Sequence, residues 1–341
     1  MKKNSFILSA ALLFASLGNA IAQEKPDTLW FKFDDRFTAN EILSLANVDS
    51  LEFTTDKLTR YIYYPSLEKV VKRTHNYRTN GTYGLGEMER YLVKPNNYSS
   101  IDFTKETSQF CFQRSVESEH VVLFWEKGLT RQSNGNITGG ASSSICNTTK
   151  LLNNAEKIWD VYVDKLGFIT PGKSTTDKVK VEMFIVNQSE WRADGSGNYG
   201  KCWEYSGNTK TQKEYRVGLF HCNAWAASSD VTVAHEIGHV FQYLVSADLG
   251  DNYGLNYVLG SNSNGNEWWE DCANWQAHKV YPAAQFTENW GNNQNMHHLN
   301  ILHEGARYNN CYYQDWWCQT HGLTTIGRVW RETKTPEDPI Q

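Results

Sequence analysis

The stretch Ser228–Gln242 constrains this chain more than any other. Ser229 or Asp230 can cap a helix running from Val231 to about Leu244. Val233, Ile237, Val240, Phe241 and Leu244 give that helix an apolar face. His235 and His239 stand four residues apart, so both imidazoles project from one side and can meet at a single point. Glu236 leans toward the same side. A helix divided in this way can be held inside a core with its polar corner turned to a cleft.

His-Glu-x-x-His supplies two nitrogen ligands, whereas a catalytic zinc needs a third protein ligand and an open position for water. The best candidate for the third is Glu270, in Asn266–Ala277. Glu267 and Asp271 compete with it, but on a helix Asp271 points about 100° away from Glu270, so only one of the two can face the metal. On these residues the chain resembles the gluzincins, the thermolysin-like superfamily of zinc metallopeptidases, as an exported bacterial member. Their second helix gives a glutamate followed by a small residue, here Ala273. The resemblance implies one catalytic Zn2+ on His235, His239 and Glu270. Glu236 would take a proton from the metal-activated water and pass it to the leaving amine. Asn274 stands where many members carry an aspartate that orients the first motif histidine; its side-chain carbonyl can still accept from an imidazole N–H. Members also place a His or Tyr from further along the chain at the oxyanion. His297, His298, His303, Tyr308, Tyr312 and Tyr313 are available, and Tyr308 is favoured, one turn before Tyr312 in a helix ending near His321-Gly322. The substrate implied is a protein or peptide, including glycoproteins, extended along the strand before the active helix, about Tyr215–Phe220.

Met1-Lys2-Lys3, an apolar run from Phe6 to Leu17 and Ala20-Ile21-Ala22 make up a signal peptide cleaved after Ala22, so the protein is expected to be periplasmic or secreted. No later apolar run reaches the roughly 18 residues a membrane span needs, so no membrane insertion is expected. The net charge is −5 with Lys and Arg dispersed, which argues against nucleic acid as a partner. Seven cysteines in an oxidising compartment leave at least one unpaired. Cys202 and Cys222 are candidates for a bridge; Cys311 and Cys318 lie too far apart on a helix to join.

The order of elements predicts an α+β fold. Residues 23–105 read as a small β-rich accessory module, with runs at Leu29–Phe33, Ser50–Thr54 and Tyr61–Tyr64. Residues 106–341 read as the metallopeptidase-like domain, a mixed sheet with the active helix followed by a helical subdomain. Within it, strands are expected at His120–Trp125, Val179–Val186 and up to Phe220, and an amphipathic helix over 145–166 closed by Gly167. Gly195–Gly200 reads as a loop; it matches Gly-x-Gly-x-x-Gly, but no helix follows to hold a pyrophosphate. Calcium near Asp248 and Asp251 is conceivable, although no calcium-loop spacing is present. The superfamily implies more helical mass beyond Asp338–Gln341, hence a chain cut short at its C-terminus. Trp and Tyr number 13 and 18. A non-catalytic glycan- or polymer-binding protein with a structural metal, presenting Trp268, Trp269, Trp316 and Trp317, is therefore the main alternative. A degenerate peptidase that keeps its metal is another. Glu236 weighs against the structural metal, which has no use for a carboxylate beside its ligands.

Overall fold

The computed structural model describes residues 92–177, 179–203, 209–254, 268–285 and 311–334, with 295–296, 298–299, 303, 308–309 and 337; for 48–53, 57–64, 69–76, 78–79, 202–203 and 209–213 it describes the backbone. The signal peptide and the strand expected at Leu29–Phe33 lie outside these residues. The chain divides into two compact units, Met1–Tyr77 and Arg78–Gln341.

The first unit contains an antiparallel three-stranded sheet, β1 (Val48–Phe53), β2 (Lys57–Tyr64) and β3 (Lys69–Asn76), in that order. The expected β-runs at 50–54 and 61–64 fall on its first two strands.

The second unit is a mixed sheet joined to several helices. Its strands are β4 (Arg78–Thr79), β5 (Val93–Pro95), β6 (Ser115–Glu117), β7 (Val121–Trp125), β11 (Val181–Val186), β12 (Ala193–Trp203) and β13 (Thr209–Asn223). Three more, β8 (Thr130–Arg131), β9 (Asn136–Thr138) and β10 (Cys146–Asn147), form a small separate sheet. The large sheet runs β4-β6-β7-β11-β13-β12-β5. Its centre, β7, β11 and β13, is parallel, and β12 returns antiparallel to β13.

One sheet face carries Val122, Phe124, Phe184, Val217 and Leu219, covered by Leu92, Val93, Phe103, Phe110 and Phe112. Phe124 and Phe184 stack at 5.4 Å, and Phe103 meets Phe124 edge-on at 5.3 Å. Each such buried ring contributes on the order of 1.5–3 kcal/mol. Residues 92–105, grouped above with the accessory module, thus help to build the core of the second unit.

The other face receives helices α1 (Thr148–Asp160) and α2 (Asp230–Leu249). Asn147 caps α1 by accepting from the Lys150 N–H at 2.9 Å, and after a π-turn over Val161–Lys165 the chain leaves through Gly167 at φ 66. Trp159 and Tyr162 pack edge-on against Phe241 of α2 at 5.2 and 5.3 Å. Among the described residues that follow, the longer helices are α3 (Trp268–Val280), α4 (Tyr312–His321) and α5 (Thr325–Glu332). Among the described residues no helix is long and apolar enough to cross a membrane.

Several expectations are corrected. The Gly195–Gly200 segment is a strand, paired with β13 over its whole length, and this disposes of a dinucleotide loop. Gly195, Gly197 and Gly218 line up where α2 crosses the sheet. A Cβ on them would lie 1.8 Å from the Glu236 carbonyl oxygen, 1.9 Å from the Tyr243 ring and 2.3 Å from Val240 Cγ1, respectively. Glycine in a strand here marks close approach of a helix, not a turn. The strand before α2 is interior from Leu219 to Asn223, where it is held between β11 and β12. Cys222 is a free thiol opposite Ala193, and Cys202 lies nine residues further along β12, about 30 Å at strand spacing, so the two cannot bridge. Asp251 pairs with Arg216, while Asp248 accepts from the Thr175 N–H at 2.7 Å. The two carboxylates serve separate partners.

Candidate metal centre

Helix α2 begins at Ser229, whose hydroxyl accepts from the Thr232 N–H at 3.2 Å. Val233, Ile237, Val240, Phe241 and Leu244 are all buried, as the apolar face requires. Tyr162 donates to the Ala234 carbonyl at 2.7 Å and anchors the turn just before the motif. Helix α3 crosses α2 closely because small residues meet: a Cβ on Gly238 would lie 3.3 Å from Ala273 Cα. That approach brings Glu270 under the two histidines.

His235 Nε2 stands 3.0 Å from Glu270 Oε2, His239 Nε2 3.2 Å from the same oxygen, and the two Nε2 atoms 3.1 Å from each other. The remaining ring nitrogens face amides. Asn274 Oδ1 lies 2.7 Å from His235 Nδ1, and Gln242 Oε1 2.9 Å from His239 Nδ1. The orientation of each amide follows from its other end. Asn274 Nδ2 donates to the Tyr308 carbonyl at 2.9 Å; Gln242 Nε2 donates to the Trp269 carbonyl at 3.0 Å and to Gln276 Oε1 at 3.1 Å. Both amides thus turn an oxygen to an imidazole, which places the ring proton on Nδ1 and the lone pair on Nε2. Three acceptor atoms then converge within hydrogen-bond distance of one another. A divalent cation could satisfy all three together, since tetrahedral ligands about 2.0–2.1 Å from zinc lie ~3.3 Å apart, close to the edges of this triangle.

Glu236 turns to the edge of the sheet, where its Oε2 accepts from the Gly195 N–H at 2.8 Å. Burial pushes its carboxyl pKa up; His235 and the Gly195 N–H pull it down, and Glu270 and Asp194 add to the rise. Burial works against ionisation of Glu270, and only a proton on an imidazole Nε2, or a cation in its place, would pull that carboxyl below the usual carboxylate range.

Of the competing acids, Asp271 is fully buried on the side of Cys272 and Cys311, whose thiols feel its charge. Glu267 lies outside the described residues, as does His297. His298 and His303 are exposed, the Tyr312 hydroxyl donates to the Gln285 carbonyl, and Tyr313 packs on Trp316 and Trp317. Tyr308 is the candidate that reaches the site, with its ring 5.8 Å from that of His235. It does so from a turn, not from a helix shared with Tyr312: α4 begins at Tyr312, and Tyr308 has φ 70. Gln242 and Gly195 were not anticipated. Gln242 was within reach of a spacing argument, three residues after His239, whereas Gly195 comes from a distant strand.

The aromatic platform is largely consumed by packing. Trp268 is buried and stacks on Trp330 at 6.0 Å, and Trp269 lies 4.3 Å from His239. Trp316 is exposed.

Beside the metal centre runs the outer edge of β12. Its partner β5 pairs only with Gly200–Cys202, so among the described residues no strand covers Ala193–Tyr199 on that side. Residues 87–341 match a family described as of unknown function, DUF6055. No curated protein and no solved structure matches the chain.

Proposed function

The chain belongs to the DUF6055 family, and we propose that it is an exported zinc metallopeptidase of gluzincin type that hydrolyses peptide bonds in protein or peptide substrates. The observation that carries this reading is the triangle of His235 Nε2, His239 Nε2 and Glu270 Oε2, with the lone pairs turned inward by two amides. A zinc ion on these three atoms would supply a Lewis acid that acidifies water and polarises a carbonyl. Glu236, buried and with a raised pKa, would take the proton from the attacking water and return it to the departing amine. The Gly195 N–H restrains its carboxylate in that position. Tyr308 would donate its phenolic O–H to the developing oxyanion. The substrate backbone would add to the outer edge of β12 within Ala193–Tyr199, apart from the Gly195 N–H that Glu236 already takes.

The test is metal analysis of the purified protein together with digestion of a quenched fluorescent peptide library by wild type and Glu236→Gln. Stoichiometric zinc in both proteins, with cleavage lost in the variant, is the expected outcome. Zinc with no cleavage in either would favour a degenerate peptidase or a binding protein, and equal cleavage by both would remove Glu236 from the chemistry.

A further inference from the structure

We propose that Asn274 is an amide because it must serve two partners at once, orienting His235 and holding Tyr308 against the site. The role assigned to Tyr308 rests on the peptidase reading; the coupling itself does not. Asn274 Oδ1 accepts from His235 Nδ1, and Nδ2 donates to the Tyr308 carbonyl. Tyr308 has φ 70, which no other described non-glycine residue shares in sign. A bulky residue in the left-handed region persists only where its surroundings impose it, and such residues cluster at functional sites. Here one of the contacts on Tyr308 comes from the same side chain that fixes the tautomer of the first motif histidine.

An aspartate at this position would be the better partner for His235 taken alone. Its second oxygen would face the Tyr308 carbonyl with no proton between them, because an ionised carboxylate only accepts. The two acceptors would repel at the distance where the amide now donates. The departure from the superfamily's aspartate is thus not a weakened metal support. It exchanges part of the pull on His235 for a link that places Tyr308. Asn274 is a positioning residue acting through two others.

Hydrogen exchange of the peptide containing Tyr308 tests the link, with and without zinc, in wild type, Asn274→Asp and Asn274→Ala. Both substitutions should raise exchange there by about tenfold, in the zinc-free protein as well. Zinc affinity, read by chelator competition, should separate them: Asn274→Asp stays within about threefold of wild type, and Asn274→Ala loses about 10–100-fold. On the peptide library Asn274→Asp should lower kcat by about 10–100-fold and leave KM in place. Wild-type exchange at Tyr308 in Asn274→Asp would overturn the proposal, as would unchanged kcat or a zinc loss equal to that of Asn274→Ala. Should wild type take up no zinc, the metal reading fails alone, and exchange in the zinc-free proteins still decides the coupling.

Discussion

His235 and His239 present their Nε2 atoms to one point because an amide oxygen holds each opposite nitrogen. Gln242 does this for His239 while its Nε2 ties α2 to the Trp269 carbonyl and Gln276 of α3. Gln242→Leu should therefore weaken zinc binding by about 10–100-fold in a chelator competition, with helix content unchanged. His221 illustrates the same dependence on surroundings. It is buried between Phe184, stacked at 5.2 Å, and Tyr98, whose hydroxyl lies 2.7 Å from Nε2, and burial lowers its pKa to about 4. An unfolded chain binds that proton near pH 6.5, so between the two values the unfolded state holds more protons. The stabilisation from the neutral ring is complete above about pH 6.5 and is lost as pH falls toward 4, by about 3 kcal/mol. Urea unfolding across that range should show a slope shallower by about one proton in His221→Gln than in wild type. Buried carboxyls with raised pKa, Glu182 and Glu236, act in the opposite direction, so the difference between the two proteins is the quantity to follow.

At the scale of elements, a glycine seam decides where α2 can lie. Gly197 on β12 faces Gly218 on β13, and the helix presses on both. Gly195→Ala would put a methyl 1.8 Å from the Glu236 carbonyl, a backbone atom that cannot step aside. It should cost about 3 kcal/mol or more in denaturant unfolding and dislodge Glu236 from the Gly195 N–H. Gly172→Ala makes the comparison: φ is 81 but nothing lies within 4 Å, so only the roughly 1–2 kcal/mol of left-handed strain should appear. This seam also explains why Gly195–Gly200 reads as a loop in the sequence and is a strand in the fold. Strand propensity rests on side chains that pack on the pleated surface, and here the packing partner is a helix occupying the volume those side chains would fill. Helices α1 and α2 were legible because their apolar positions, caps and closing glycine all lie within one short stretch.

For the whole molecule, the boundary between units falls at Tyr77/Arg78, ahead of the point where the β-rich composition ends. A chain starting at Arg78 should fold and bind zinc with wild-type affinity, whereas one starting at residue 106 lacks Leu92, Val93 and Phe103 over the Phe124–Phe184 face. The shorter chain should lose its near-ultraviolet circular dichroism signal, since removing even one such core ring costs about 3–5 kcal/mol. Sequence alone determined which side chains meet at the centre: the helical period places His235, Glu236 and His239 on one side, and a second helix offers Glu270. Those relations are local, set by residues a few positions apart on a regular helix. The tertiary structure decided what depends on distant segments meeting. It put Gly195 beside Glu236, left part of the outer edge of β12 without a partner strand, carried Tyr308 to His235 on a strained turn, and set Asn274 between them. Sheet order and loop return are fixed by packing between remote parts of the chain, and no spacing within one segment encodes them.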